Sequence, residues 1–265
     1  MYSAFQLAKK YLDYYISASN GKGHGIHSPF VFQFVTHVLN DNRQYYAYSS
    51  IELLREKLLN DNTIIPVEDM GAGSAVHTSS RKSISTITRN TSKSKKLGQL
   101  LHRIANYFQP ETILELGTSM GISTAYLSTG NPAANVISCE GSETVANFAA
   151  KNFLGLSLDN IKIVRGNFDN ALPGILSNLD HIDLVFLDGN HRLEPTLKYF
   201  NLILPKLNET SAVIFDDIHW SHEMETAWES IKSDPAVMVT IDLFFLGIVF
   251  FRPEFKQKQH FTIRF

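Results

Sequence analysis

The sequence predicts an α/β protein built on a doubly wound sheet, parallel for most of its width, with a C-terminal antiparallel hairpin and an N-terminal helical cap. Three observations carry this reading. From Gly98 onward, short apolar runs alternate with helix-length amphipathic ones. The first apolar run ends in a glycine turn, Gly117-Thr118-Ser119-Met120-Gly121. Near the end, Val237–Phe245 and Leu246–Phe251 follow each other too closely for a crossover helix, so they must pair antiparallel.

The first 95 residues form the cap and a basic loop, and 96–265 the sheet domain. Phe5–Ile16 reads as an aromatic-rich helix, and its exposed rings would suit a homodimer interface as well as packing on the domain. Gly21 to Pro29 (GKGHGIHSP) must be a loop, because glycines recur and proline stops the run. His24 and His27 in it could close over a site. Phe30–Leu39 and Ser50–Leu59 are further helices, the second with Ser49 or Ser50 as N-cap. Asp69-Met70-Gly71-Ala72-Gly73-Ser74 mimics the later glycine turn but reads as a decoy, since Pro66 interrupts the preceding run and no helix periodicity follows. Met70 to Gln109 contains no acid but has Arg81, Lys82, Arg89, Lys93, Lys95, Lys96 and Arg103. This stretch reads as a solvated loop, or as a lid attracting an anionic substrate.

In the sheet domain, strands fall near Thr112–Leu116, Val136–Ser138, Ile161–Val164, Leu184–Leu187 and Ala212–Phe215. Helices fall near Gly98–Tyr107, Ile122–Thr129, Glu143–Leu154, Pro195–Ile203 and Met224–Lys232, and His260–Phe265 reads as an edge strand. Hydrophobic content of 44% over 265 residues supports a large core. A formal charge of −2 gives no general attraction to nucleic acid, and no aromatics interleave the basic stretch between Ser74 and Leu97. No run approaches the ~20 apolar residues of a membrane span, and no secretory leader is legible at Met1. The single cysteine, Cys139, fits a reducing compartment, so a soluble cytoplasmic protein without membrane partners is expected.

A strand, a glycine turn and a helix bring backbone N–H groups and a positive dipole end to one point, where an anionic or carboxylate-bearing cofactor can sit. Glu140, at the end of the next strand, stands where a carboxylate takes both hydroxyls of a ribose. The turn also spells G-x-S-x-G, the nucleophile elbow of serine hydrolases, with Ser119 as nucleophile and Asp217 and His260 as nominal partners. No oxyanion loop precedes it, and a hydrolase leaves Glu140 unexplained. The G-x-x-x-G spacing disfavours nicotinamide binding. With Gly98–Leu101, Glu115–Thr118, Gly121, Ser123, Glu140, Gly166–Asn167 before Leu172–Pro173, Leu187–Asp188 and Asp216–Asp217 in this order, residues 97–251 resemble the class I S-adenosyl-L-methionine (SAM) methyltransferases. The likeness is to the cation-dependent, catechol-type O-methyltransferases. The whole chain also resembles a group of uncharacterised bacterial methyltransferases.

That resemblance implies a Rossmann-like fold and a cofactor set of Glu115, Gly117, Thr118, Ser119, Gly121, Ser123, Glu140, Gly141, Asn167, Phe168 and Asp188. Gly117 and Ser123 would hold the methionine end, Glu140 the ribose, and Asn167 and Phe168 the adenine. Three carboxylates, Asp188, Asp216 and Asp217, end adjacent strands and would repel without a cation, so they are candidate ligands for Mg²⁺ or another hard divalent ion. Relatives have Asn where Asp217 stands. His191, three residues after Asp188, is the candidate general base, or else a metal ligand; His219 and His222 are its alternatives, and Trp220 a wall of the acceptor pocket. The expected activity is methyl transfer to a hydroxyl of a small or carrier-bound acceptor. Other readings are a metal-free methyltransferase on RNA or protein, a serine hydrolase, and a non-catalytic SAM-binding subunit.

Overall fold

The computed structural model describes residues 1–69 and 78–265, with side chains described outside residues 69–79. The Gly71–Ser74 part of the second glycine motif therefore lies outside the described residues. The chain folds into two compact units, Met1–Asp41 with Leu179–Phe265, and Asn42–Asn178. The segment expected to be one cap thus divides between them. Among the described residues, no helix is long and apolar enough to cross a membrane.

The Asn42–Asn178 unit contains three parallel strands, Thr112–Leu116, Asn135–Glu140 and Ile161–Arg165, with the middle one paired to both others. Parallel pairing requires crossovers, which the helices Ile122–Gly130 and Glu143–Gly155 supply. Helix Lys95–Phe108, capped by Ser94, packs on Ile122–Gly130. Gly98 permits this approach, because a Cβ there would lie 2.5 Å from the Tyr126 ring. Helix Tyr46–Leu59 begins four residues before the expected Ser50, with Tyr45 as N-cap and no side-chain cap bond. Packing overrode the serine signal: Ala47 and Tyr48 are buried, and the Tyr48 ring meets Tyr126 and His102 edge-on.

Two further elements correct the sequence reading. Ile64–Asp69 and Thr78–Ser83 form an antiparallel hairpin, and Ile84–Thr91 is a helix capped by Ser83. Part of the expected basic loop is therefore ordered structure, with Ile84, Ile87 and Thr88 buried at i, i+3 and i+4. Phe168–Ser177 is also a helix, hidden in the sequence by Pro173 and Gly174 in its interior.

The other unit carries five strands in the order Gln259–Thr262, Val239–Asp242, Leu246–Phe250, Ala212–Asp216, Leu184–Leu187. Leu184–Leu187 pairs in parallel with Ala212–Asp216, which pairs antiparallel with Leu246–Phe250. Val239–Asp242 and Leu246–Phe250 make the expected antiparallel hairpin, and the expected edge strand joins it in parallel. Helices Leu193–Ile203 and His222–Ser233 bury Phe200 and Trp228 against Phe215. The N-terminal helix, Ala4–Ser17, buries Tyr14 against Phe244 and leaves Phe5, Leu12 and Ile16 exposed. Pro29–Phe34, capped by Ser28, continues into a π-helical turn at Val35–Leu39.

Candidate functional site

In the Asn42–Asn178 unit, the strand Thr112–Leu116 ends at Gly117, whose φ of 109° only glycine adopts freely. The N–H groups of Gly117 and Thr118 both reach the carbonyl of Cys139, at 2.9 and 3.3 Å, which ties the turn to the neighbouring strand end. Ser119 is left-handed (φ 47°), and its N–H points at Glu140 Oε2, 2.8 Å away. Glu140 Oε1 accepts from the N–H of Ser142 at 2.9 Å. The carboxylate is thus fixed by one backbone donor on each oxygen, and each oxygen keeps lone-pair capacity for a diol. Burial raises the Glu140 pKa, against the opposing pull of the N–H groups of Ser142, Ser119 and Gly141.

Glu115 is wholly buried beneath the turn. Its Oε2 accepts from Thr124 Oγ1 (2.5 Å) and Ser138 Oγ (2.6 Å), while Oε1 has no hydrogen-bond partner in the protein. Desolvation pushes its pKa up to about 7, although Ser138, Thr124 and Ser123 pull it down. A buried carboxylate oxygen without a donor costs roughly 1–3 kcal/mol, which a ligand bearing an ammonium group would offset. Gly166 (φ 132°) donates to the carbonyl of Glu140 at 2.9 Å, and a Cβ on it would meet open space. Asn167, placed next to Glu140 by that bond, caps the helix Phe168–Ser177 and accepts from the N–H of Asp169 (2.8 Å). Its amide oxygen therefore already accepts a backbone hydrogen bond that fixes its direction.

Two supporting residues escaped the sequence reading. Ser142 caps the helix Glu143–Gly155, and its hydroxyl donates to Glu68 of the hairpin Ile64–Asp69/Thr78–Ser83. The Ser142 cap was readable, but a contact 74 residues away in sequence was not. The hydrolase reading fails on hydrogen bonds. Ser119 Oγ pairs with Thr91 Oγ1 at 2.6 Å, and the candidate base His260 pairs with Thr240 at 2.8 Å.

In the Met1–Asp41/Leu179–Phe265 unit, Asp188 follows the strand Leu184–Leu187 and Asp216 ends the strand Ala212–Asp216. A tight turn through left-handed Asn190 (φ 54°), with Asn190 Nδ2 bonded to Tyr199 Oη at 2.9 Å, swings His191 back to these strand ends. His191 Nε2 lies 3.6 Å from Asp188 Oδ1 and 3.9 Å from Asp216 Oδ2. One ligand atom from each of the three lies within 4.8 Å of the others. The expected trio was Asp188, Asp216 and Asp217; the structure brings His191 in where Asp217 was placed. Asp217 is left-handed (φ 53°), donates its N–H to the carbonyl of Phe245 (2.7 Å), and faces an apolar cavity instead. Two carboxylates and an imidazole at these distances fit a divalent cation with mixed oxygen and nitrogen ligands.

His219 and His222 do not join this cluster. His219 is held by Glu225 (3.1 Å) and Asp242 (2.8 Å), and His222 is exposed at a helix start. His24 and His27 are exposed on their loop.

Residues 114–218 match the family model of a methyltransferase domain. An uncharacterised protein, R132, of Acanthamoeba polyphaga mimivirus is 30% identical over 148 residues, which cover 51% of this chain and 66% of that protein. Among solved structures, the SAH-bound methyltransferase PaMTH1 of Podospora anserina aligns over 86% of this chain and 97% of its own, with 13% identity and a TM-score of 0.59. The SAH-bound O-methyltransferase of Bacillus cereus aligns over 83% and 97%, with 18% identity and a TM-score of 0.56. The SAM-bound O-methyltransferase TomG of Streptomyces achromogenes aligns over 82% and 95%, with 18% identity and a TM-score of 0.55. Residues 114–218 therefore match a methyltransferase-domain model, and the chain shares the Rossmann-like fold of these solved methyltransferases.

Proposed function

We propose that this protein transfers a methyl group from SAM to a hydroxyl oxygen of a small or carrier-bound acceptor, using a divalent cation held by Asp188, His191 and Asp216. The observation that carries the choice of oxygen is the cluster itself, two carboxylates and an imidazole gathered within 4.8 Å at adjacent strand ends. SAM, when bound, supplies an electrophilic methyl on a sulfonium centre. Glu140 holds the ribose diol, Glu115 Oε1 takes the ammonium of the methionine end, and Ser123 with the turn N–H groups orients its carboxylate. Asn167 and Phe168 flank the adenine. A divalent cation, when bound, favours the acceptor oxygen in its deprotonated form. The imidazole widens the choice of ion from Mg²⁺ towards Mn²⁺.

A second reading has its own observation. Without a cation, His191 lies 3.6 and 3.9 Å from two carboxylates that would stabilise it once protonated, as a general base requires. His191 cannot be ligand and base at once. Calorimetric titration of Mn²⁺ into wild type and Asp216→Asn, followed by SAM, separates these readings. The cation reading expects Mn²⁺ heat that the variant loses. Methylation that persists after exhaustive chelation and disappears in His191→Gln would select the base. Absence of SAM binding in either protein would overturn the methyltransferase activity.

A further inference from the structure

The Glu140 carboxylate is aimed by the N–H groups of Ser119 and Ser142, at 2.8 and 2.9 Å. Both serines are in turn tied by their hydroxyls to one stretch of chain that precedes the sheet. The Ser142 hydroxyl donates to Oε2 of Glu68, in the strand Ile64–Asp69. The Ser119 hydroxyl meets that of Thr91, the last residue of the helix Ile84–Thr91, at 2.6 Å. A hydroxyl has a single proton to give, and Thr91 gives its own to the carbonyl of Ile87 at 3.0 Å, so Thr91 accepts from Ser119. All of these residues belong to the Asn42–Asn178 unit.

That stretch is anchored by its own packing. The strand Ile64–Asp69 lies against the helix Glu143–Gly155, which sets Glu68 beside the Ser142 cap. A carboxylate at a helix N-terminus is favoured by the dipole. The bond from Ser142, against the opposing pull of burial, holds the Glu68 carboxyl below its ordinary pKa, so it accepts as a carboxylate. The helix Ile84–Thr91 packs on Tyr46–Leu59 and buries Ile84 and Ile87. The N–H groups of Ile84 and Ser85 reach the carbonyls of Thr63 and Asp61 at 3.0 and 2.8 Å, which fixes the start of that helix. Hairpin and helix thus grip the two serines from fixed positions.

The grip matters because a glutamate side chain is flexible. A carboxylate that is ordered only when its ligand arrives subtracts the lost rotamer entropy from affinity, whereas one already aimed does not. The gain is confined to the ligand groups that the carboxylate meets. We propose that Glu68 and Thr91 are positioning residues for ribose recognition: through the Ser142 and Ser119 hydroxyls they hold the N–H groups that aim Glu140. Ser142 is buried whereas Thr91 is exposed, so water competes for the Thr91 bond and Glu68 has the larger share. The inference rests on the assignment of Glu140 to the ribose made above.

Calorimetry on the full chain with S-adenosyl-L-homocysteine (SAH) and its 2′-deoxyribose analogue tests it, because only the ribose-directed part of binding should change. Wild type should prefer SAH at least about tenfold, as one charge-assisted hydrogen bond implies. Glu68→Ala should cut that preference about threefold or more, and Thr91→Val about twofold. Glu68→Gln keeps an acceptor for the Ser142 hydroxyl and should leave the preference unchanged. Thr91→Val removes only an exposed bond, so it decides the matter if Glu68→Ala does not fold. A preference unchanged in Glu68→Ala or in Thr91→Val, even where both ligands weaken alike, would overturn the role of that residue. A loss in Glu68→Gln as large as in Glu68→Ala would overturn the route through Ser142. The underlying reading fails separately. No SAH binding by wild type removes the methyltransferase activity, and SAH bound without preference removes the ribose assignment. A wild-type preference that both variants keep removes this inference alone.

Discussion

Glu115 and Glu140 are both buried acids on neighbouring strands, yet the structure treats them differently. Glu140 has a backbone N–H on each oxygen, whereas Glu115 has hydroxyl donors on one oxygen and none on the other. If Glu140 holds the ribose as proposed, removing it deletes two charge-assisted hydrogen bonds, each worth roughly 1.5–3 kcal/mol. Glu140→Ala should therefore weaken SAM by at least about 100-fold by calorimetry, and unchanged affinity would disprove the ribose assignment. For Glu115 the prediction is a pH dependence. Its folded pKa of about 7 stands above the ordinary glutamate value of 4.5, so its contribution to stability is full below 4.5 and is lost as pH rises through 7. Glu115→Gln should abolish that decline in denaturant titrations. In wild type, an ammonium ligand favours the ionised acid, so SAM affinity should rise between pH 5.5 and 7, by at most about tenfold per pH unit. A flat profile there would mean that Glu115 does not meet the ligand's ammonium.

Two elements show packing outweighing local preference. Gly98 sits inside a helix, where alanine would gain about 1 kcal/mol of propensity. A Cβ there would come 2.5 Å from the Tyr126 ring, which is fully buried and pinned through its hydroxyl to Glu52 at 2.6 Å. Overpacking typically costs about 1–3 kcal/mol, so Gly98→Ala should lower Tm despite the better helix former, and a rise would show that the Tyr126 ring can move. The N-terminal helix is held through the Glu225–His219–Asp242 network. Burial works against a charged His219, but the bonds and charges of Asp242 and Glu225 outweigh it and raise its pKa. Tyr2, Lys10 and Tyr14 face the same network. Stabilisation by protonated His219 is full below its ordinary value near 6.5 and fades as pH rises through the elevated folded value. Limited proteolysis within Ala4–Ser17 should accelerate as pH rises from 6 towards 9, and His219→Gln should remove that dependence.

For the whole molecule, a ligand that binds only the folded state stabilises it by mass action, about 2.7 kcal/mol at a concentration 100 times its Kd. Glu115, Glu140 and the glycine turn all belong to the Asn42–Asn178 unit. Saturating SAM should therefore slow hydrogen exchange most around Leu116–Ser123 and Glu140–Ser142. Protection confined to Leu179–Phe265 would place the cofactor elsewhere.

The sequence by itself determined the alternation of strands and helices after Gly98, the glycine turn, Glu140 at a strand end and the C-terminal antiparallel hairpin. All of these are local: apolar periodicity, a positive-φ glycine and a connection length are written within a few residues of where they act. The start of the helix Tyr46–Leu59 was not legible, because burial of Ala47 and Tyr48 depends on partners such as Tyr126. Nor was the helix Phe168–Ser177, since an interior proline and glycine mask its periodicity. His191 was already readable as a possible metal ligand, but that it and not Asp217 completes the cluster came only with the tertiary structure. Side-chain direction at a strand end depends on left-handed turns at Asn190 and Asp217, and the bond from the Asp217 N–H to Phe245 crosses 28 residues. Spacing brings acids to the same edge; the fold of the chain beyond the strand decides which of them face one another.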